Sequence, residues 1–87
     1  MTTYIYHTDP GHGWIEVPVA DLQDLGLKPA DFTRYSYMKH DRVYLEEDCD
    51  AAVFVNAYAE KYGVRPAFRE QHTDRDSMIR NFKRLPV

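Results

Sequence analysis

Apolar and polar positions along this chain alternate in several short stretches and recur with helical spacing in others. Tyr4-Ile5-Tyr6 and Gly13-Trp14-Ile15-Glu16-Val17 flank the turn-forming Asp9-Pro10-Gly11. This predicts a hairpin whose tip carries His7, Asp9 and His12. On its second strand Ile15 and Val17 share one face, and Trp14 and Glu16 the other. Pro18 stops that strand. Leu22 and Leu25, with Gly26 behind them, predict a short helix over residues 19–25. Pro29-Ala30-Asp31-Phe32 adds a further turn, because proline suits a first helical position.

Residues 33–38 alternate again, with Tyr35 and Tyr37 on one face. Arg42-Val43-Tyr44-Leu45 follows the polar Lys39-His40-Asp41, which predicts a second hairpin. The clearest helix comes next. Ala51, Phe54, Val55, Tyr58 and Tyr62 form one stripe between Cys49 and Tyr62, with Asp48 as the expected N-cap and Gly63 as its end. Acidic residues in its first turn, Asp50 among them, suit the helix dipole. Residues 65–72 supply a fifth strand. The tail begins as a helical turn at Asp76-Ser77-Met78-Ile79 and continues as an extended arm; Trp14 either packs under its Phe82, Leu85 and Val87 or stays partly open as a binding anchor. The expected fold class is α+β. It is a small two-layer domain with a mainly antiparallel sheet of about five strands (ββ-α-ββ-α-β), covered by one long and one short helix. Residues 1–87 make a single domain, with residues 73–87 as its C-terminal arm.

Composition supports one self-sufficient core. At 87 residues the folded chain should expose roughly 5,300 Å², and its twelve aromatic side chains supply much of the buried area. A single cysteine, Cys49, points to a reducing cytosol, and no apolar run approaches the length of a membrane span. The residues that open the chain have no secretory-signal pattern. Formal net charge is −3, but it is unevenly spread. Residues 1–63 carry eleven acidic and five basic side chains. Residues 64–87 carry three acidic residues against Arg65, Arg69, Arg75, Arg80, Lys83 and Arg84. Such a dipole can orient a protein on a larger partner.

Three groups of residues invite chemistry. His7, Asp9 and His12 could hold a metal with a fourth ligand from His40, Glu46 or Glu47, or could act as an acid–base pair. Their spacing matches no metal signature, and the plainer reading has Asp9 bonding its own turn backbone. The run Glu46-Glu47-Asp48-Cys49-Asp50 lacks the spacing of a calcium loop. Helix capping accounts for Asp48 and Asp50, which leaves Glu46 and Glu47 free to meet a basic partner. Its acids hold the Cys49 thiol unreactive, so Cys49 reads as a small apolar filler. The strand tyrosines Tyr4, Tyr6, Tyr35, Tyr37 and Tyr44 either pack under the long helix or form a platform on the open sheet face. No motif fixes a reaction or a cofactor, and none is assigned.

The string Tyr6-His7-x-Asp9-Pro10-Gly11-His12-Gly13-Trp14-x-Glu16-Val17-Pro18, with Tyr35-Ser36-Tyr37 and Val43-Tyr44-Leu45-Glu46-Glu47-Asp48-Cys49-Asp50, resembles short proteins carried by bacteriophages and other mobile elements. The resemblance runs from Tyr6 to Tyr62. It implies a small accessory protein in the host cytosol that binds host machinery, including defence complexes such as CRISPR systems. The residues expected to meet a protein partner are His7, Asp9, His12, Trp14, Glu46 and Glu47, with Trp14 as anchor. Nucleic-acid contact through the six basic residues of the tail region ranks behind a protein partner. A small-molecule or metal-binding domain centred on His7, Asp9 and His12 is the alternative.

Overall fold

The two hairpins form the centre of one six-stranded sheet in the computed structural model, which describes residues 2–85. The strands are β1 (Thr3–Thr8), β2 (Gly13–Pro18), β3 (Tyr37–Lys39), β4 (Arg42–Glu46), β5 (Ala67–His72) and β6 (Lys83–Arg84). Their order across the sheet is β5-β1-β2-β4-β3-β6. Helix α1 (Val19–Asp24) follows β2, and helix α2 (Asp50–Tyr62) joins β4 to β5. A 3-10 turn occupies Pro29–Asp31 and another Met78–Asn81. This is an α+β domain with helices layered on the sheet. Among the described residues no helix is long and apolar enough to cross a membrane.

The sheet is mixed. β5 runs parallel to β1, pairing Tyr4 with Phe68 and Thr8 with His72, whereas every other neighbouring pair is antiparallel. A parallel neighbour needs a long crossover, and most of the chain, α2 included, lies between these two strands. The sheet therefore has one strand more than the alternation indicated, because β6 adds two tail residues beside β3.

Alternation sorts the two faces. Tyr4, Ile15, Val17, Val43 and Leu45 meet Leu22 of α1 and Ala51, Phe54, Val55 and Tyr58 of α2 in the main core. Tyr4 meets the Phe54 ring edge-on with centroids 5.1 Å apart. Asn56 and Glu60 face solvent. The opposite face carries Trp14, Tyr37 and Tyr44, covered by Ile79 and partly by Phe82 from the tail. Leu85 returns to the main core, its N–H donating to the Ser36 carbonyl at 2.9 Å. Val87, also expected to cover Trp14, lies outside the described residues. The total exposed surface, 5442 Å², is close to the expectation from chain length.

Several local expectations fail, chiefly because the buried carboxylates of Asp50 and Glu46 gather nearby donors. Residues 33–36 do not extend β3. The buried Asp50 carboxylate accepts hydrogen bonds from the Thr33 N–H at 3.0 Å, the Thr33 hydroxyl at 2.8 Å and the Ser36 hydroxyl. Side-chain bonds of this kind draw a segment out of a ladder and into a turn. Tyr35 thus precedes the strand and is 64% exposed, while Tyr37 is buried, though both line one hollow beside Trp14. Asp50 is thus a tie between segments and not a helix cap. Asp48 is not the cap either: Cys49 holds that position with no side-chain cap bond. Instead the Glu46 carboxylate receives the Asp48 and Cys49 N–H groups at 2.7 and 3.1 Å. Cys49 is exposed and fills no apolar space. Gly63 ends α2 as expected, at φ 75°, a left-handed conformation that glycine adopts without a Cβ penalty.

Phe54 is wholly buried at the centre of the main core. Phe54→Ala should cost ~3–5 kcal/mol, read as a lower midpoint in urea unfolding; an unchanged midpoint would mean that α2 does not pack as described.

Candidate functional site

The hairpin tip is held by one carboxylate. The Asp9 side chain is fully buried and accepts five hydrogen bonds. Oδ1 takes the N–H groups of Gly11 and His12 at 3.0 and 2.9 Å. The Asp9 N–H donates to the His12 carbonyl, closing the turn. Oδ2 takes the Ser77 N–H at 2.9 Å, and Arg80 grips the carboxylate from the tail through Nε at 2.8 Å and Nη2 at 3.0 Å. The guanidinium, then the backbone donors, hold the Asp9 carboxyl far below the ordinary carboxylate range despite burial. The same charge pair raises the Arg80 guanidinium further.

Arg80 also lies over the Trp14 ring, 5.5 Å from its centre. Trp14, 2% exposed, is closed in by Ile79, Tyr37 and Tyr44. The tail does cover Trp14, which is therefore core and not an open anchor. Asp9 and Glu46 are likewise not free to meet a partner, because their oxygens serve backbone N–H groups and, for Asp9, Arg80. His7 is half-buried beside Glu16, with Nε2 2.7 Å from Oε1, and Arg42 closes on the other Glu16 oxygen at 3.1 Å. His40 sits in the β3–β4 turn at the far end of the sheet. Among the described residues no group of three or more His, Cys, Asp or Glu side chains is disposed to hold a metal. The set His7, Asp9 and His12 does not converge, since Asp9 is turned to Arg80. Of the six expected contact residues, only His12 and Glu47 are exposed.

Glu47 belongs to a second arrangement. The Tyr6 hydroxyl donates to its Oε2 at 2.6 Å, on the face of the sheet that carries α2. Burial, the Glu47 bond and the charges of Glu47, Glu70 and Asp48 push that hydroxyl up to about 12. Two exposed carboxylates meet at one corner, where β5, β1 and the start of α2 join: Glu47 through its bond to Tyr6, and Glu70 as the β5 partner of Tyr6, whereas Asp48 lines a hollow beside Trp14 on the other side of the sheet. Gly13 permits the approach. A Cβ there would stand 2.6 Å from the Tyr6 hydroxyl oxygen, so any side chain would displace the ring. The Thr8 hydroxyl donates to Glu70 at 3.0 Å and lies 2.7 Å from His72 Nδ1, tying β5 to the same corner.

From this corner an open groove of about 410 Å³ runs between α2 and β5. Tyr6, Glu47, Ala52, Val55, Arg65 and Phe68 line it, and Phe68 is 39% exposed. Glu70 entered no sequence-based grouping, because its partners in the corner are remote in sequence and only the β1–β5 pairing unites them. Arg80 was missed as the partner of Asp9 for the same reason. The six basic residues of the tail region do not form one strip. Arg69 lies on β5 and Arg84 on β6, the two opposite edges of the sheet, while Arg80 is committed to Asp9. No family model matches the chain, and neither a curated protein nor a solved structure shows significant similarity to it.

Asp9→Ala should cost ~3–5 kcal/mol, the usual penalty for breaking a buried pair, and should red-shift Trp14 emission as Arg80 and Ile79 lift away. The pH dependence follows in sign. The folded carboxyl titrates below its ordinary 3.8, so its contribution is complete above about pH 4–5 and is lost as pH falls below that. The stability gap between the parent and Asp9→Asn should therefore be level at neutral pH and shrink in acid. A gap independent of pH would remove Asp9 from this role.

Proposed function

We propose that this domain is a non-enzymatic accessory protein that acts by binding a host protein through the acidic corner of Glu47 and Glu70. The observation that carries this reading is the pair of exposed carboxylates about Tyr6, Glu47 and Glu70, beside an open groove with an exposed aromatic ring. Opposed charges at such a rim steer encounter and select among partners. Aromatic and aliphatic groups beside them supply area to desolvate. His12 and Glu47 remain in the contact set, whereas Asp9, Trp14 and Glu46 act within the fold. The resemblance to mobile-element proteins supplies the context: a phage-type protein in the host cytosol whose partner belongs to a defence complex. The exposed, unpaired Cys49 suits that reducing compartment.

Glu47→Gln combined with Glu70→Gln should change stability by less than about 1 kcal/mol, because the charges are exposed. Capture from a bacterial lysate, with mass spectrometry, identifies the partner. Association measured against that partner should then slow in the variant, more at low salt than at high. Equal association rates for parent and variant at every salt concentration would exclude the acidic corner from the interface.

A further inference from the structure

We propose that the outer edge of β5 receives an extended segment of the partner protein as an added strand. One apolar side chain of that segment would lie over Phe68, with a basic one two residues along facing Glu70 and Glu47. The inference rests on the acidic corner being the contact and adds how the partner is held there.

β5 is a terminal strand of the sheet, six residues long and exposed from Phe68 to His72. Its outward side presents N–H and C=O groups with no neighbouring strand among the described residues, which is a template for strand addition. The opposite edge offers little, since β6 has only two residues. Phe68 and Glu70 alternate onto the face that carries α2, as do their β1 partners Tyr4 and Tyr6. An incoming strand thus meets the apolar groove wall and the acidic corner with side chains two positions apart. Arg65 lines the same groove and, following the helix end at Gly63, lies toward its other end. The groove is therefore acidic at one end and basic at the other, which favours one orientation of a charged segment.

A second copy of this chain is the obvious rival occupant, and charge opposes it. Two β5 edges joined antiparallel in one continuous sheet are related by an axis normal to that sheet, which sets a residue opposite its own copy. The two registers that pair nearly the whole strand centre on Arg69 or on Glu70. Each opposes like charges at the axis, a destabilising arrangement. The edge is thereby guarded against itself and open to a strand of different charge.

The test uses the intact, isotopically labelled protein and two end-capped synthetic peptides. One is Thr-Val-Thr-Lys-Thr-Lys-Thr, with valine and lysine on one face; in the other, glutamate replaces lysine. The lysine peptide should slow amide exchange along β5 and bind at least about tenfold more tightly than the glutamate peptide. Glu47→Lys should abolish that preference, and Phe68→Ser, at an exposed position, should weaken both. Protection of β5 with either peptide alike would overturn the charge selection, and with it the acidic corner, while leaving the edge. Binding that depends on Glu47 but leaves β5 exchange unchanged would overturn strand addition and leave the corner. No binding of either peptide, or slowed β5 exchange in the protein alone as its concentration rises, would also overturn strand addition, the latter in favour of a second copy.

Discussion

The bond between Asp9 and Arg80 is the constraint on which the second face of this protein depends. Trp14, Tyr37 and Tyr44 project from the side of the sheet that has no helix. Among the described residues the apolar cover over them comes from the tail, through Ile79 and Phe82. A 3-10 turn of four residues is too short to hold itself there. Its attachment comes from a buried carboxylate with five donors, two of them from the hairpin backbone and three from the tail. One side chain thus shapes the first turn, fastens the last segment, and sets a guanidinium over the indole. Removing it would strand several buried donors at once, a heavier loss than any single contact.

Acidic side chains do similar work elsewhere. Glu46 satisfies the N–H groups that lead into α2, and Asp50 gathers Thr33 and Ser36 from the preceding loop. No buried side-chain nitrogen or oxygen lacks a partner among the described residues. The chain's many acids therefore divide into two kinds. Asp9, Glu46 and Asp50 are buried and organise turns, whereas Glu47, Asp48 and Glu70 are exposed and shape the field outside.

That division locates the proposed contact. A desolvated carboxylate with every lone pair engaged has little left to offer a partner, while an exposed cluster acts through its field and costs little to uncover. The corner also lies beside the longer free edge of the sheet and a groove that ends at Arg65. Backbone groups of an edge strand bind without regard to sequence, so selectivity must come from side chains flanking it. The corner and Phe68 are placed to provide that.

Periodicity alone made both hairpins, both helices and the stop at Gly63 legible, because these depend on local spacing, turn residues and one buried stripe. The burial of Phe54, Val55 and Tyr58 was legible for the same reason. The split of β2 into an aliphatic core face and a Trp14 face also followed from alternation. Pairings between distant segments were not legible. The sequence shows an acid in a turn at Asp9 and an arginine in the tail at Arg80, but nothing local joins them, and the same holds for Glu47 with Glu70. Which acids are tied down and which remain free is decided by strand order, since β5 beside β1 carries Glu70 to the corner and the tail crossing β2 brings Arg80 to Asp9. Local pattern determined the elements; the tertiary structure decided which charges face water, because burial and long-range hydrogen bonds arise only once the sheet is assembled.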